Sequence, residues 1–202
     1  MSRYTGPKCR LCRREGVSLC GKEKCALKKR NYIPGQHGPK GSFGKKSEYS
    51  RQLREKQKLK RLFGVTERQL EKYFDKASKL KDITGDALLK ILEKRLDNVI
   101  YRAGFGKTRA QARQMVNHGL FKINNGRIDI PSYEVKVGDK FEASDRAKKS
   151  KLFAEVEKQK YAPAKWLKVD VKNLSGEVMR PVEKDDLEQI IQSSLVVEYY
   201  SK

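Results

Sequence analysis

All four cysteines fall in one short stretch, Cys9, Cys12, Cys20 and Cys25, with the spacing C-x2-C-x7-C-x4-C, and none occurs elsewhere in the 202 residues. Two close pairs in one loop suit a tetrahedral zinc ion. Zinc takes four ligands at about 2.3 Å, and a two-residue spacer lets two thiolates reach one ion while backbone amides turn toward sulfur. Lys8, Arg10, Arg13, Arg14, Lys22 and Lys24 surround the cysteines. Their charge offsets a four-thiolate centre and favours deprotonated sulfur. Paired disulfides need an oxidising compartment, and a redox Cys-x-x-Cys belongs beside a strand-helix unit. An iron–sulfur cluster is the other four-thiolate reading. Four protein ligands leave no open position, so the expected zinc is structural and not catalytic.

The elements around these cysteines explain why a metal is needed. Residues 1–47 hold 7 of the 15 Gly and 3 of the 6 Pro with few large apolar side chains, too few for a core, so metal takes the place of one. The chain carries a formal charge of +22, and residues 1–63, with 19 Lys or Arg against 4 Asp or Glu, carry +15 of it. A polyanionic partner follows. Residues 177–202 reverse the sign, with Glu177, Glu183, Asp185, Asp186, Glu188 and Glu198 against Arg180, Lys184 and Lys202, and read as a protein-facing surface. No apolar run approaches the roughly 18 residues of a membrane span. The Met-Ser-Arg opening has no apolar stretch behind it, so a cytosolic chain is expected.

Further along, Asn31 to Gly44 reads as an irregular loop holding His37, a loop or RNA contact. Residues 48–63 read as a mostly polar helix bearing Arg51, Arg54, Lys56, Lys58, Lys60 and Arg61. Thr66 and Gln69 have capping-box spacing ahead of Leu70, Tyr73, Phe74 and Ala77. Asp86 to Ala103 keeps a helical period and stops at Gly104. Thr108 and Gln111 then cap a second helix, which ends at His118-Gly119. Seven-residue spacing puts Arg95 and Arg102 on one flank of the first helix, and four-residue spacing puts Arg109 and Arg113 on one flank of the second. One surface of the pair is therefore expected to be cationic, with the N-terminus at Lys107 and Thr108 adding phosphate donors. The period falls to two through Phe121, Ile123, Ile128, Ile130, Val135 and Val137, with a turn at Asn124-Asn125-Gly126. A basic helix 145–159, a strand 166–171 with Trp166 packed inside, a helix 185–191 and a strand 195–200 complete an α+β chain.

The run Arg95-Leu96-Asp97-Asn98-Val99-Ile100-Tyr101-Arg102-Ala103-Gly104-Phe105, followed by Thr108-Arg109, Ala112-Arg113 and His118-Gly119, resembles bacterial small-subunit ribosomal protein S-four. The likeness extends to Arg3-Tyr4-Thr5-Gly6-Pro7, Ile130-Pro131-Ser132-Tyr133, Val137-Gly138-Asp139 and Val196-Val197-Glu198-Tyr199-Tyr200-Ser201, and so spans the chain. It departs at Leu120, where the family has a second His, at the shifted Asn124-Asn125-Gly126 turn, and in the short loop between Cys12 and Cys20. The resemblance implies a zinc-bearing member that binds a multi-helix junction in the five-prime region of small-subunit rRNA and nucleates assembly. It further implies contact with ribosomal protein S-five, an influence on decoding accuracy, and a place beside the mRNA entry passage, hence a cytoplasmic, ribosome-bound location.

Together these readings give three parts: a zinc-bound basic arm 1–47, a mainly helical domain 48–91 with 174–202, and, inserted in it, a helix-pair and antiparallel-sheet RNA-binding domain 92–173. The expected RNA contacts are Arg3, Lys8, Arg10, Arg13, Arg14, Arg51, Arg54, Lys56, Lys58, Arg61, Arg95, Arg102, Lys107, Thr108, Arg109, Arg113 and His118. The expected protein interface is Glu177, Arg180, Glu183 and Asp185. An RNA-modifying enzyme carrying the same helix pair is the rival reading, but residues 143–202 supply no nucleotide loop and no nucleophile with its base. A ribosome-rescue factor is the second rival.

Overall fold

The computed structural model describes residues 4–41, 45, 47–150, 153 and 162–201. Arg3 and most of the expected basic helix 145–159 lie outside the described residues. The chain divides into two units: residues 1–89 with 188–202, and residues 90–187. Among the described residues, no helix is long and apolar enough to cross a membrane.

In the first unit, α1 (Lys8–Glu15) carries Cys9 and Cys12 and stops at Gly16, whose left-handed φ of +70° ends the helix. A single 3-10 turn, Ala26–Lys28, follows Cys25. α2 (Glu48–Phe63) starts where the Ser47 hydroxyl accepts from the Ser50 amide and ends at left-handed Gly64. Its inner face is more polar than its apolar stripe suggests, because Gln52, Glu55 and Lys56 are buried beside Leu59, Leu62 and Phe63. α3 (Glu67–Ser78) opens with the expected box: the Gln69 amide donates to Thr66 Oγ1 at 3.4 Å, and the Thr66 amide to Gln69 Oε1 at 3.1 Å.

The partner of the polar face of α2 is α8 (Ser193–Tyr200). Gln52 donates to Glu198 at 3.0 Å, and the Gln192 amide donates to Glu55 at 2.8 Å. The expected strand 195–200 is thus a helix. Its Val-Val and Tyr-Tyr pairs favour strand by type, but helical spacing buries Val196 and sets Tyr200 on Phe74 at a ring distance of 4.7 Å, and packing outweighs propensity. The expected helix 185–191 is likewise only a 3-10 turn, Lys184–Asp186.

α4 (Thr84–Glu93) leads into the second unit, whose first two helices are α5 (Leu96–Arg102) and α6 (Arg109–Asn117). The single helix expected over 86–103 is broken. Arg95 is extended (φ −67°, ψ 138°), and the segment 133–135 takes over its neighbours' backbone bonds: the Leu96 amide donates to Tyr133 O at 2.8 Å, and the Val135 amide to Lys94 O at 2.9 Å. Arg95 and Glu134 form an isolated bridge there.

Among the described residues, five antiparallel strands form one sheet in the second unit: β1 (Phe121–Ile123), β2 (Gly126–Arg127), β3 (Lys140–Ala143), β4 (Leu167–Asp170) and β5 (Ser175–Val178), in the order β2-β1-β3-β5-β4. Asn124 (φ +47°) and Asn125 (φ +67°) supply the two left-handed positions of the β1–β2 hairpin, a conformation Asn tolerates. Phe105, Phe121, Phe141 and Phe153 form the aromatic core, with ring separations of 5.7 to 6.2 Å, and Trp166 is buried as expected. Because β5 pairs with both β3 and β4, residues 174–187 sit with the sheet and not with the helical unit. α7 (Asp145–Lys148) is one turn long.

Candidate metal centre and nucleic-acid interface

Three-residue spacing on α1 puts Cys9 and Cys12 on one face of that helix. The turn at Gly16 then returns the chain so that the thiols of Cys9, Cys20 and Cys25 all lie within 4.8 Å of one another. Cys12 is fully buried and neighbours the Cys20 and Cys25 thiols, though it is not one of the three within that distance. Four thiolates around one zinc ion at about 2.3 Å would stand about 3.8 Å apart, so this cluster is compatible with a zinc site. Burial pushes the Cys12 thiol up to about 12 against backbone donors at Leu19 and Cys20. Burial also opposes ionisation of Cys25, but the Leu27 amide, the Ser18 side chain and the neighbouring thiols outweigh it and bring that thiol down to about 7. Such sulfur-directed donors are those a thiolate ligand needs.

The cations of this unit divide into exposed and occupied. Arg10, Arg14 and Arg51 are exposed, and Lys8 and Arg13 are half-buried. Arg54 (3.3 Å) and Arg61 both pair with Glu15, whose side chain is 1% exposed. Burial raises the Glu15 carboxyl against the pull of those two arginines. Lys58 bonds Glu55 at 2.6 Å. Lys56, expected to face RNA, is buried: it bonds Glu67 at 2.6 Å and lies 4.4 Å from the Tyr199 ring centre. Its place is inside the α2, α3 and α8 junction.

In the second unit the helix pair is organised by carboxylates that sequence reasoning did not single out. Asp97, 5% exposed, takes two bonds from Arg95, at 3.1 and 2.8 Å, and one from Arg113 at 3.3 Å. Arg95 and Arg113 are therefore interior, not on the expected cationic flanks, because the break before α5 turns Arg95 inward. Glu93, wholly buried, takes both ends of Arg102 at 2.9 and 2.7 Å and also an amide proton of Asn98. The other end of that amide, Asn98 Oδ1, accepts from Arg109 Nε at 2.8 Å, and the Arg109 guanidinium lies 4.5 Å from the Tyr101 ring centre. An acid within the apolar run Ile91-Leu92-Glu93 was the available signal.

At the start of α6, Thr108 Oγ1 accepts from the Gln111 amide at 3.2 Å, and Gln111 Oε1 accepts from the Lys107 amide at 2.9 Å, one residue earlier than a standard capping box. Lys107 and His118 are exposed. Glu177 lies in β5, in register with Lys140 and Lys168. Arg180 pairs with Asp186 at 2.8 Å and Glu183 at 3.3 Å, while Glu183 and Asp185 are exposed.

Residues 3–93 match the ribosomal protein S4/S9 N-terminal domain, and residues 94–141 match the S4 domain. The chain is 50% identical to the small ribosomal subunit protein uS4 of Caldicellulosiruptor bescii, 48% identical to that of Thermodesulfovibrio yellowstonii and 45% identical to that of Natranaerobius thermophilus, in each case over the full length of both chains. A basic α+β chain with a thiol-clustered arm and a helix pair set on a small antiparallel sheet, matched from end to end by these relatives, belongs to the small ribosomal subunit protein uS4 family, a family of structural ribosomal proteins and not of enzymes.

Proposed function

We propose that this chain binds small-subunit rRNA directly at a junction in the five-prime domain, nucleates subunit assembly there, and holds one structural zinc ion on Cys9, Cys12, Cys20 and Cys25. The observation that carries the reading is the fate of the one acid among residues 94–122, which contain seven Lys or Arg: Asp97 is buried under Arg95 and Arg113. The surface left at the start of α6 is then cationic at exposed Lys107 and half-buried Arg109, next to helices whose placement is fixed from inside. A rigid basic face gains affinity for folded RNA by displacing counterions from phosphate. Arg109, tied at Nε by Asn98, keeps its guanidinium plane in one orientation, which suits the paired oxygens of a phosphate.

A bound zinc ion would cross-link α1 to the Cys20 and Cys25 loop. The residues themselves turn α1 back at Gly16, exclude water from Cys12 and aim amides at sulfur. The exposed acids Glu183 and Asp185, with Glu177 and Arg180, are the proposed contact for ribosomal protein S-five, through which the chain influences decoding accuracy near the mRNA entry passage. The place of action is the cytoplasmic ribosome.

The test is a salt titration of the protein on a junction transcript. We expect log affinity to fall with log salt by roughly 0.7 to 0.9 per phosphate contacted. Arg109→Ala should cost about tenfold or more, consistent with a charge-assisted contact, while Lys168→Ala should cost little. Equal small losses for both would replace a defined site with diffuse charge attraction and overturn the reading.

A further inference from the structure

Arg13 was expected to reach RNA with its charge, but its guanidinium is engaged within the arm. Nε donates to the Tyr32 carbonyl at 2.9 Å, a terminal nitrogen donates to the Ile33 carbonyl at 3.5 Å, and the group lies 4.5 Å from the centre of the Tyr32 ring. With one face of the Tyr32 ring thus covered, the residue is still 37% exposed and so remains open to a further contact. The backbone beneath is pinned by Gly38: it is buried, and an added Cβ would stand 1.7 Å from the Ile33 carbonyl oxygen. The Gly38 amide donates to Gly35 O and the Gly41 amide to Gly38 O, both at 3.1 Å, so two consecutive turns fold this loop back onto residue 33. Gln36, His37 and Lys40 on these turns are exposed.

The surroundings say what would cover the ring. Residues 22–40 hold six Lys or Arg and one acid, so the partner is anionic. A phosphate alone gains nothing from an uncharged aromatic face. The partner that brings both negative charge and a flat π surface is a nucleotide, and a base within a duplex has no face to offer. We infer that Tyr32, braced from behind by Arg13, is a stacking platform for one unpaired nucleobase of the bound RNA, giving an Arg13–Tyr32–base stack. This rests on the RNA-binding reading above and adds a site outside the helix pair. Bracing matters because a ring already held in one orientation loses less freedom on binding.

The test compares two RNAs, a junction transcript with unpaired nucleotides and the same sequence closed into continuous duplex, using the full chain. Tyr32→Leu should weaken binding to the junction by about 5- to 150-fold, the range for loss of one stacked base. It should leave duplex binding and the salt slope as in the parent, since no phosphate contact is removed. Tyr32→Phe and Tyr32→Trp should stay within about twofold of the parent, because each keeps a stacking face. Arg13→Lys keeps the charge but loses the brace, and should weaken junction binding with the slope unchanged.

Parental affinity in Tyr32→Leu, an equal loss on duplex, or a loss that comes with a shallower slope would overturn the platform while leaving the RNA reading intact. A parent that leaves the junction unbound would sink both. If hydrogen exchange over residues 30–41 shows that Leu unfolds the loop, the Phe and Trp variants decide, and a loss in either overturns the proposal.

Discussion

At the scale of single residues, this chain uses several of its arginines and lysines as internal struts. Asp97 accepts from Arg95 and Arg113, and Glu93 accepts from Arg102 while steering Arg109 through Asn98. Removing one member of a buried charge group leaves the opposite charge poorly compensated in the interior. Asp97→Ala should therefore destabilise the second unit by about 3–5 kcal/mol, read as a lowered denaturant midpoint. Lys107→Ala, at an exposed site, should leave stability within about 0.5 kcal/mol of the parent. A small effect from Asp97→Ala would mean that solvent reaches the cluster.

At the scale of elements, α2, α3 and α8 meet on a polar seam. Burial alone would raise the Glu67 carboxyl, but hydrogen bonds and charge from Lys56 and Lys60, at 2.6 and 2.7 Å, bring it down to about 2. A folded-state value below the ordinary 4.5 contributes stability that is fully present above 4.5 and is lost as pH falls toward 2. Glu67→Gln should thus lower Tm near neutral pH, and the gap from the parent should narrow in thermal scans taken between about pH 4.5 and about pH 2.5. A gap of constant size across that range would remove the Lys56–Glu67–Lys60 cluster from the acid response.

The same seam shows what could be read before any coordinates. α2 was legible to the residue, 48–63, and the structure shows that local chemistry sets both ends: a hydroxyl cap at Ser47, and Gly64 in the left-handed region. The box at Thr66 was legible for the same reason. What failed depended on distant partners. The run Val196-Val197-Glu198-Tyr199-Tyr200 has strand-forming residue types, and only the waiting polar face of α2 makes it a helix. Arg95 has the spacing of a surface cation, yet the 133–135 segment opens the helix beneath it. The cysteine spacing was legible as a cluster because three of the four thiols had only to meet within one short loop.

At the scale of the whole molecule, the arm is basic and glycine-rich, and the proposed zinc ion is what would hold it together. Removing bound zinc with a chelator should raise hydrogen exchange across residues 8–30, leave the sheet of the second unit protected, and weaken binding to the junction transcript. Unchanged affinity after verified metal loss would separate the cluster from RNA binding.

The first unit is discontinuous: its long N-terminal segment is completed by residues 188–202, and α8 packs on α2. A polypeptide emerging from synthesis exposes Gln52, Glu55 and the aromatic edge of Phe74 for as long as the intervening 98 residues take to appear. The second unit, contiguous in the chain, has all of its own strands first. Closure of α2 by α8 consequently waits on residues that follow the whole second unit, so that a nascent chain cut short before Ser193 would carry every strand of the sheet but lack the latch of α2.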